Sequence, residues 1–332
     1  MRKSRIKAEG AAYYHCMSRI IEKRRILGEL EKERFINLMR KLADFCGVEV
    51  ITFAVLDNHF HILLKEPEKH EISDNELLRR MAYLYPAGHI REIEEKISAL
   101  RQSGCHDRAA ELKHSYTYRM HDISFFFKSL KQNFSQWYNR RNDRLGPLWD
   151  QRFKSILVED SDHALRTMAA YIDLNPVRAG LVEDPKDYRF SGYGAAMGGC
   201  AGAQEGIRHI AQSFGQCASW KRICCIYRQY LYLQGEQALG RNNQRIGFDT
   251  ETVEKVIAEG GRLPLQTVLR CRVRYFSDGL VLGGRDFVEE VFCQYRQHFG
   301  KNRRGGARTM QTGNWNGLFT MRDLRHSPVS IR

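Results

Sequence analysis

The sequence contains no C-x-x-C pair, no apolar run approaching the ~18 residues of a membrane helix, and no internal repeat of fixed period. Its nine cysteines (Cys16, Cys46, Cys105, Cys200, Cys217, Cys224, Cys225, Cys271 and Cys293) have no metal-type spacing. An odd, scattered set reads as reduced thiols, several of them core residues, rather than a disulfide framework or a cysteine zinc site. The leading MRKSRIK is basic but no apolar stretch follows, so it does not read as a secretory signal. The expectations are a cytoplasmic protein with no membrane partner. Acidic residues are in deficit: 39 Asp+Glu against 53 Lys+Arg leave a formal charge of +14 over 332 residues.

A hydrophobic content of 42% is ordinary for a globular chain and excludes wholesale disorder. The length suits two domains of ~150 residues each. The positive excess is concentrated in residues 1–50, in 101–150 and in the tail after 300. That balance favours a polyanionic partner, with nucleic acid ahead of an anionic membrane surface.

Residues 11–21, rich in aromatic and β-branched types, predict a strand. Leu30, Phe35, Leu38, Leu42 and Phe45 recur at helical spacing over 29–46, and Gly47 ends that helix. Residues 48–55 and 59–66 predict two strands joined tightly enough to form an antiparallel hairpin. Residues 67–120 balance their charges and read as a helical insert with largely solvated faces. A helix over 121–140, a strand over 148–158 and a helix from Asp162 to about Leu174 follow, the last closed by Asn175-Pro176. The order predicts an α+β fold: a ferredoxin-like antiparallel sheet with packed helices over residues 1–190. Gly/Ala-rich residues 191–206 read as a linker. Residues 207–300 read as a mainly helical domain, with short helices at 249–260 and 264–274, a turn at Ser277-Asp278-Gly279 and a helix at 285–299, a helix-turn-helix-like arrangement. Residues 301–332 read as a basic tail.

Two stretches carry candidate chemistry. His59 and His61 alternate on a strand, so both point to one face, where two imidazoles can share a divalent metal; Phe60 points to the core. Tyr171 and Asn175 lie one turn apart on a helix face flanked by the small Ala169 and Ala170. Two His and an Asn supply three ligands for Mg²⁺ or Mn²⁺, and a Tyr beside them is a candidate nucleophile.

NHFHILL at 58–64 resembles the His-hydrophobic-His motif of HUH single-strand endonucleases. YIDLNPVRAG at 171–180 resembles the tyrosine helix of the REP-associated tyrosine transposases and their single-tyrosine insertion-sequence relatives. LGPLWDQRFKS at 145–155 and YHCMSR at 14–19 are similar to two further segments of that family, in the family's order. The resemblance covers about residues 10–190 and implies an HUH nuclease domain. It assigns the metal to His59, His61 and Asn175, and makes Tyr171 the nucleophile on a single-stranded DNA phosphodiester. A 5′-phosphotyrosine, a free 3′-OH and then strand transfer follow, at REP-like hairpins or insertion-sequence ends. Arg144, Trp149, Arg152, Lys154, Arg178, His15 and Arg19 are the candidate DNA contacts, with the basic arm Arg2, Lys3, Arg5 and Lys7 as an accessory. Single-stranded or hairpin DNA is the expected partner, and a second copy in a homodimer is a further candidate. One rival is a domesticated DNA-binding protein of the same fold without turnover. The other is a histidine-triad-like nucleotidyl hydrolase, whose third alternating His would fall at Leu63.

Overall fold

A computed structural model describes residues 6–211, 219–236, 275–310, 315 and 317–322. The chain begins β1 (Ala12–Arg19), α1 (Glu29–Cys46), β2 (Glu49–Val55), β3 (His59–Glu66). Three insert helices follow: α2 (Asp74–Met81), α3 (Ala87–Gln102) and α4 (His106–Thr117). Then come α5 (Ile123–Arg141), β4 (Lys154–Val158) and α6 (Asp162–Asp173). The antiparallel order β2-β3-β1-β4, generated by a β-α-β-β-α-β chain, is the ferredoxin-like plan.

Sequence chemistry accounts for these elements. Gly47 caps α1 in the left-handed region at φ 69°, a conformation glycine adopts without steric cost. Asp122 caps α5 by accepting from the Ser124 and Phe125 amides, and Ser161 caps α6 by accepting from Ala164. Helix α1 buries Phe35, Ile36, Met39, Leu42 and Phe45, while Leu30 at its first turn is exposed. Helices α1 and α5 cover one face of the sheet, where Phe35, Phe60, Phe127, Phe134 and Trp149 form an aromatic core. Helix α6 covers the other face with Ala164, Met168, Ala169 and Ile172, against Tyr13, Ala54, Leu63 and Ile156.

Three expectations are corrected. Strand β4 starts at Lys154, because Trp149 makes only an isolated bridge to Ile20 and the segment between them bends. Residues 191–206 are not a linker. They form α8 (Gly192–Met197) and the start of α9 (Ala201–Ala211), after the short α7 (Asn175–Arg178). Their glycines serve close packing: a Cβ on Gly192 would lie 2.1 Å from Thr52 Oγ1, and one on Gly206 would lie 1.9 Å from the Ile51 carbonyl oxygen.

The third correction concerns the C-terminal half. Residue 190 marks no break in the sheet. After α10 (Trp220–Glu236) and α11 (Tyr275–Asp278), β5 (Val281–Gly283) adds parallel to β4. Helix α12 (Arg285–Gln294) follows, and β6 (Arg308–Thr309) and β7 (Phe319–Met321) complete seven strands in the order β2-β3-β1-β4-β5-β7-β6. Part of the expected basic tail is thus β structure. Strands of two or three residues leave no alternation to read in the sequence. The expected helices at 249–260 and 264–274 lie outside the described residues, as do Arg2, Lys3 and Arg5. Among the described residues no helix is long and apolar enough to cross a membrane.

Candidate active site

The α6 face of the sheet brings the sequence motifs together. In the β1–β3 pairing Arg19 lies opposite His59, Met17 opposite His61 and His15 opposite Leu63, so these side chains share one face. His59 is half-buried, His61 is 2% exposed and His15 is fully buried. The His59 and His61 rings stand 5.1 Å apart, centroid to centroid. Helix α6 delivers Tyr171 from above: its ring sits 5.7 Å from that of His61, 5.9 Å from His15 and 4.7 Å from Phe276 of α11. The tyrosine and both motif histidines therefore meet within one chain.

The hydrogen bonds fix which ring nitrogen of His59 carries the proton. Asn58 Nδ2 donates to the Lys23 carbonyl at 2.9 Å, which turns Asn58 Oδ1 toward His59 Nδ1 at 2.6 Å. An amide oxygen only accepts, so His59 Nδ1 bears the proton and Nε2 keeps its lone pair. His61 Nδ1 lies 2.9 Å from His15 Nε2. If His61 donates there, its Nε2 is also a free lone pair. Burial lowers the His59 pKa to about 4 and the His15 pKa to about 3, and it holds His61 well below the usual imidazole value. All three rings are neutral near pH 7, as metal ligation requires. With His61 donating to His15, two neutral Nε2 lone pairs on one face fit a divalent cation.

Asn175 is 9% exposed; its Nδ2 donates to the Tyr171 carbonyl at 3.1 Å, which leaves Oδ1 as the ligand atom its expected role needs. Arg178 donates to the same carbonyl at 2.9 Å and holds its guanidinium 4.6 Å from the Tyr171 ring centroid. Burial raises the phenol pKa, opposed by the Arg178 charge and a hydrogen bond from Asn175. Arg19, Arg152 and Lys154 line an adjoining cavity of about 280 Å³ with Met17, Asp150 and Asp278, and Lys154 Nζ pairs with Asp278 at 3.1 Å.

The remaining candidates lie elsewhere. Trp149 is a core residue, packed on Phe35, Phe60 and Phe134 behind the sheet with Nε1 donating to the Lys131 carbonyl, so its ring offers no face to a base. Arg144 closes the turn before β4 by donating to Asn139 Oδ1 and the Pro147 carbonyl. His15 is inaccessible to DNA and acts on His61 instead.

Two residues of the site carried no sequence signal. Asn58 read only as a turn. Asp173, between Tyr171 and Asn175, is fully buried and accepts from Tyr227 Oη at 2.6 Å, Thr52 Oγ1 at 2.7 Å and the Tyr193 amide at 3.3 Å. It ties the tyrosine helix to β2, α8 and α10. Burial outweighs these bonds and raises its pKa to about 6. A carboxyl whose folded pKa exceeds its unfolded value of ~3.9 favours the native state at low pH and loses that contribution as pH rises from about 4 to about 6. The loss is about 3 kcal/mol at ~1.4 kcal/mol per pKa unit. Urea midpoints from pH 4 to 7 are expected to show this component in the wild type and not in Asp173→Asn; identical pH profiles would overturn it.

A His/Glu group able to hold a metal also exists at His70, Glu76 and His121, apart from the sheet face just described. No curated protein matches the chain. A solved structure of a REP-associated tyrosine transposase bound to a REP hairpin is similar over 60% of this chain and 87% of that one, at 16% identity and a TM-score of 0.39. The family model described as IS200-like transposase matches residues 9–80, so the resemblance carried by the His59–His61 motif is borne out over the stretch from β1 through β3 into α2.

Proposed function

We propose that the chain is a metal-dependent, single-tyrosine DNA endonuclease and strand transferase. The observation that carries this reading is the meeting of Tyr171 with His59 and His61 on one sheet face within one chain. His59, His61 and Asn175 would hold Mg²⁺ or Mn²⁺, with two imidazoles favouring the softer Mn²⁺. A bound cation there supplies Lewis-acid polarisation of a phosphodiester and stabilises its developing charge. Tyr171 Oη attacks phosphorus and gives its proton to solvent, the P–O3′ bond breaks, and the departing 3′ oxygen takes up a proton from solvent, giving a 5′-phosphotyrosine and a free 3′-OH. Attack by another 3′-OH reverses the step and transfers the strand. Arg178, beside the phenol, and Arg19, opposite His59, stand where a phosphate would need cations.

The protein offers DNA a second basic surface, on the opposite side of the sheet. A cleft of about 1090 Å³ between α1 and α5 is lined by Arg34, Arg40, Lys41, Arg119, Arg140 and Arg141. A double-stranded hairpin stem suits such a surface. Arg140→Glu with Arg141→Glu is expected to weaken hairpin binding about tenfold in low salt and to reduce the salt slope by ~2. Filter binding across a salt series checks it, and an unchanged slope would move the stem elsewhere.

The test of the whole reading is incubation of the protein with end-labelled single-stranded hairpin DNA and Mn²⁺, read as a denaturant-resistant adduct. Absence of any adduct on family-like end sequences would leave a DNA-binding protein without turnover. In the same assay Asn58→Ala is expected to raise the Mn²⁺ concentration for half-maximal adduct 10–100-fold, the usual scale for losing the partner that orients a metal-binding His. Saturating Mn²⁺ should restore the yield; an unshifted Mn²⁺ curve would show that Asn58 does not orient His59.

A further inference from the structure

The insert of α2, α3 and α4 leaves the sheet after β3 and returns before α5. Its two ends meet at a cluster that the proposed reaction does not use. His70 lies before α2, Glu76 is in the first turn of α2, and His121 sits between α4 and α5. One ligand atom of each lies within 4.8 Å of the others. The His70 and His121 rings are 4.3 Å apart, centroid to centroid.

Each group presents a lone pair. His70 Nδ1 faces the Glu68 carbonyl at 3.4 Å, so it bears the proton, and Nε2 points at Glu76 Oε2 at 3.6 Å. Glu76 Oε1 is held by Arg80 at 2.5 Å, which orients the carboxylate and leaves Oε2 to the cluster. His121 is 2% exposed, and its Nε2 is buried with no hydrogen-bond partner. A buried, unsatisfied imidazole nitrogen is unfavourable unless something fills the place. Its backbone is held by the amide donating to the Cys46 carbonyl and lies at φ 52°, an uncommon conformation for a non-glycine residue.

We propose that His70, Glu76 and His121 bind one Zn²⁺, and that the ion clips the two ends of the helical insert together. Two imidazoles and one carboxylate are a zinc donor set that keeps a fourth position for water. Tetrahedral ligation at about 2.0–2.2 Å puts donor atoms ~3.4 Å apart, close to the His70–Glu76 separation already present. His70 is half exposed and can close the remaining gap by a rotamer change. The site is remote from His59, since His70 follows the opposite end of β3.

The test is limited proteolysis of chelator-stripped full chain with and without one equivalent of Zn²⁺. Zn²⁺ is expected to slow cleavage within residues 67–120 at least tenfold in the wild type and in His59→Ala, and to give no protection in His70→Ala or Glu76→Gln. His70 is exposed, so its variant should fold, and circular dichroism of each variant verifies this. No protection in the wild type, protection that survives in both His70→Ala and Glu76→Gln, or protection lost in His59→Ala would each overturn the proposal.

Discussion

Tyr171→Phe is expected to fold, to hold hairpin DNA as the wild type does, and to form no covalent adduct. The substitution removes one oxygen and keeps the ring, so the contacts to His61, His15, Phe276 and the Arg178 guanidinium survive. Removing a covalent nucleophile costs rates on the order of 10⁶-fold, which places the variant at background. The neighbouring tyrosines offer no substitute. Tyr188 donates its hydroxyl to the Val55 carbonyl in the core, and Tyr193 is fully buried. Burial raises the pKa of both phenols above the ordinary tyrosine value. Electrophoresis of labelled DNA with the protein under denaturing conditions reads the result. An adduct formed by Tyr171→Phe at the wild-type rate would remove the residue from the chemistry.

The next largest effect is expected from the histidines. His59→Ala should lower the Mn²⁺-dependent adduct rate roughly 10³-fold, the several kcal/mol that metal polarisation of a phosphodiester supplies. His59 stands at the start of β3 and is half-buried, so its loss leaves little cavity. Hairpin affinity should change little, because the cleft between α1 and α5 lies on the other side of the sheet. This separates the effect from that of Arg140→Glu with Arg141→Glu, which weakens binding. Asn58→Ala differs again, since added Mn²⁺ restores it, whereas no Mn²⁺ concentration should restore His59→Ala. Rescue of His59→Ala by Mn²⁺, or an unchanged rate, would dismiss His59 as a ligand.

The site was legible where its chemistry is local. Alternation on β3 puts His59 and His61 on one face, and helical spacing puts Asn175 one turn past Tyr171. The ferredoxin-like order followed from elements long enough to show their period. What was not legible depends on partners distant in the chain. Asp173 is defined by Thr52, Tyr193 and Tyr227, and nothing near it in the sequence announces them. Glycines at 192 and 206 look like linker composition, yet they are small because Thr52 and Ile51 press against them. Trp149 could face bases or core with equal sequence support; the aromatic residues of α1 and α5 decide for the core. A reading of zinc sites from cysteine spacing passes over His70, Glu76 and His121, which the ends of a fifty-residue insert bring together.

Phe276 lies against the Tyr171 ring, and β5 immediately follows it. This contact has a meaning in time as well as in space. About a hundred residues separate the tyrosine from its cover, and a ribosome adding 5–20 residues per second needs on the order of ten seconds to make them. During that interval the emerging chain already contains both histidines and the tyrosine, but not the wall that buries the phenol. On the proposed chemistry, the nucleophile therefore stays without this cover until residue 276 has been made, and a chain terminated before that point would carry Tyr171 without the wall that packs against it.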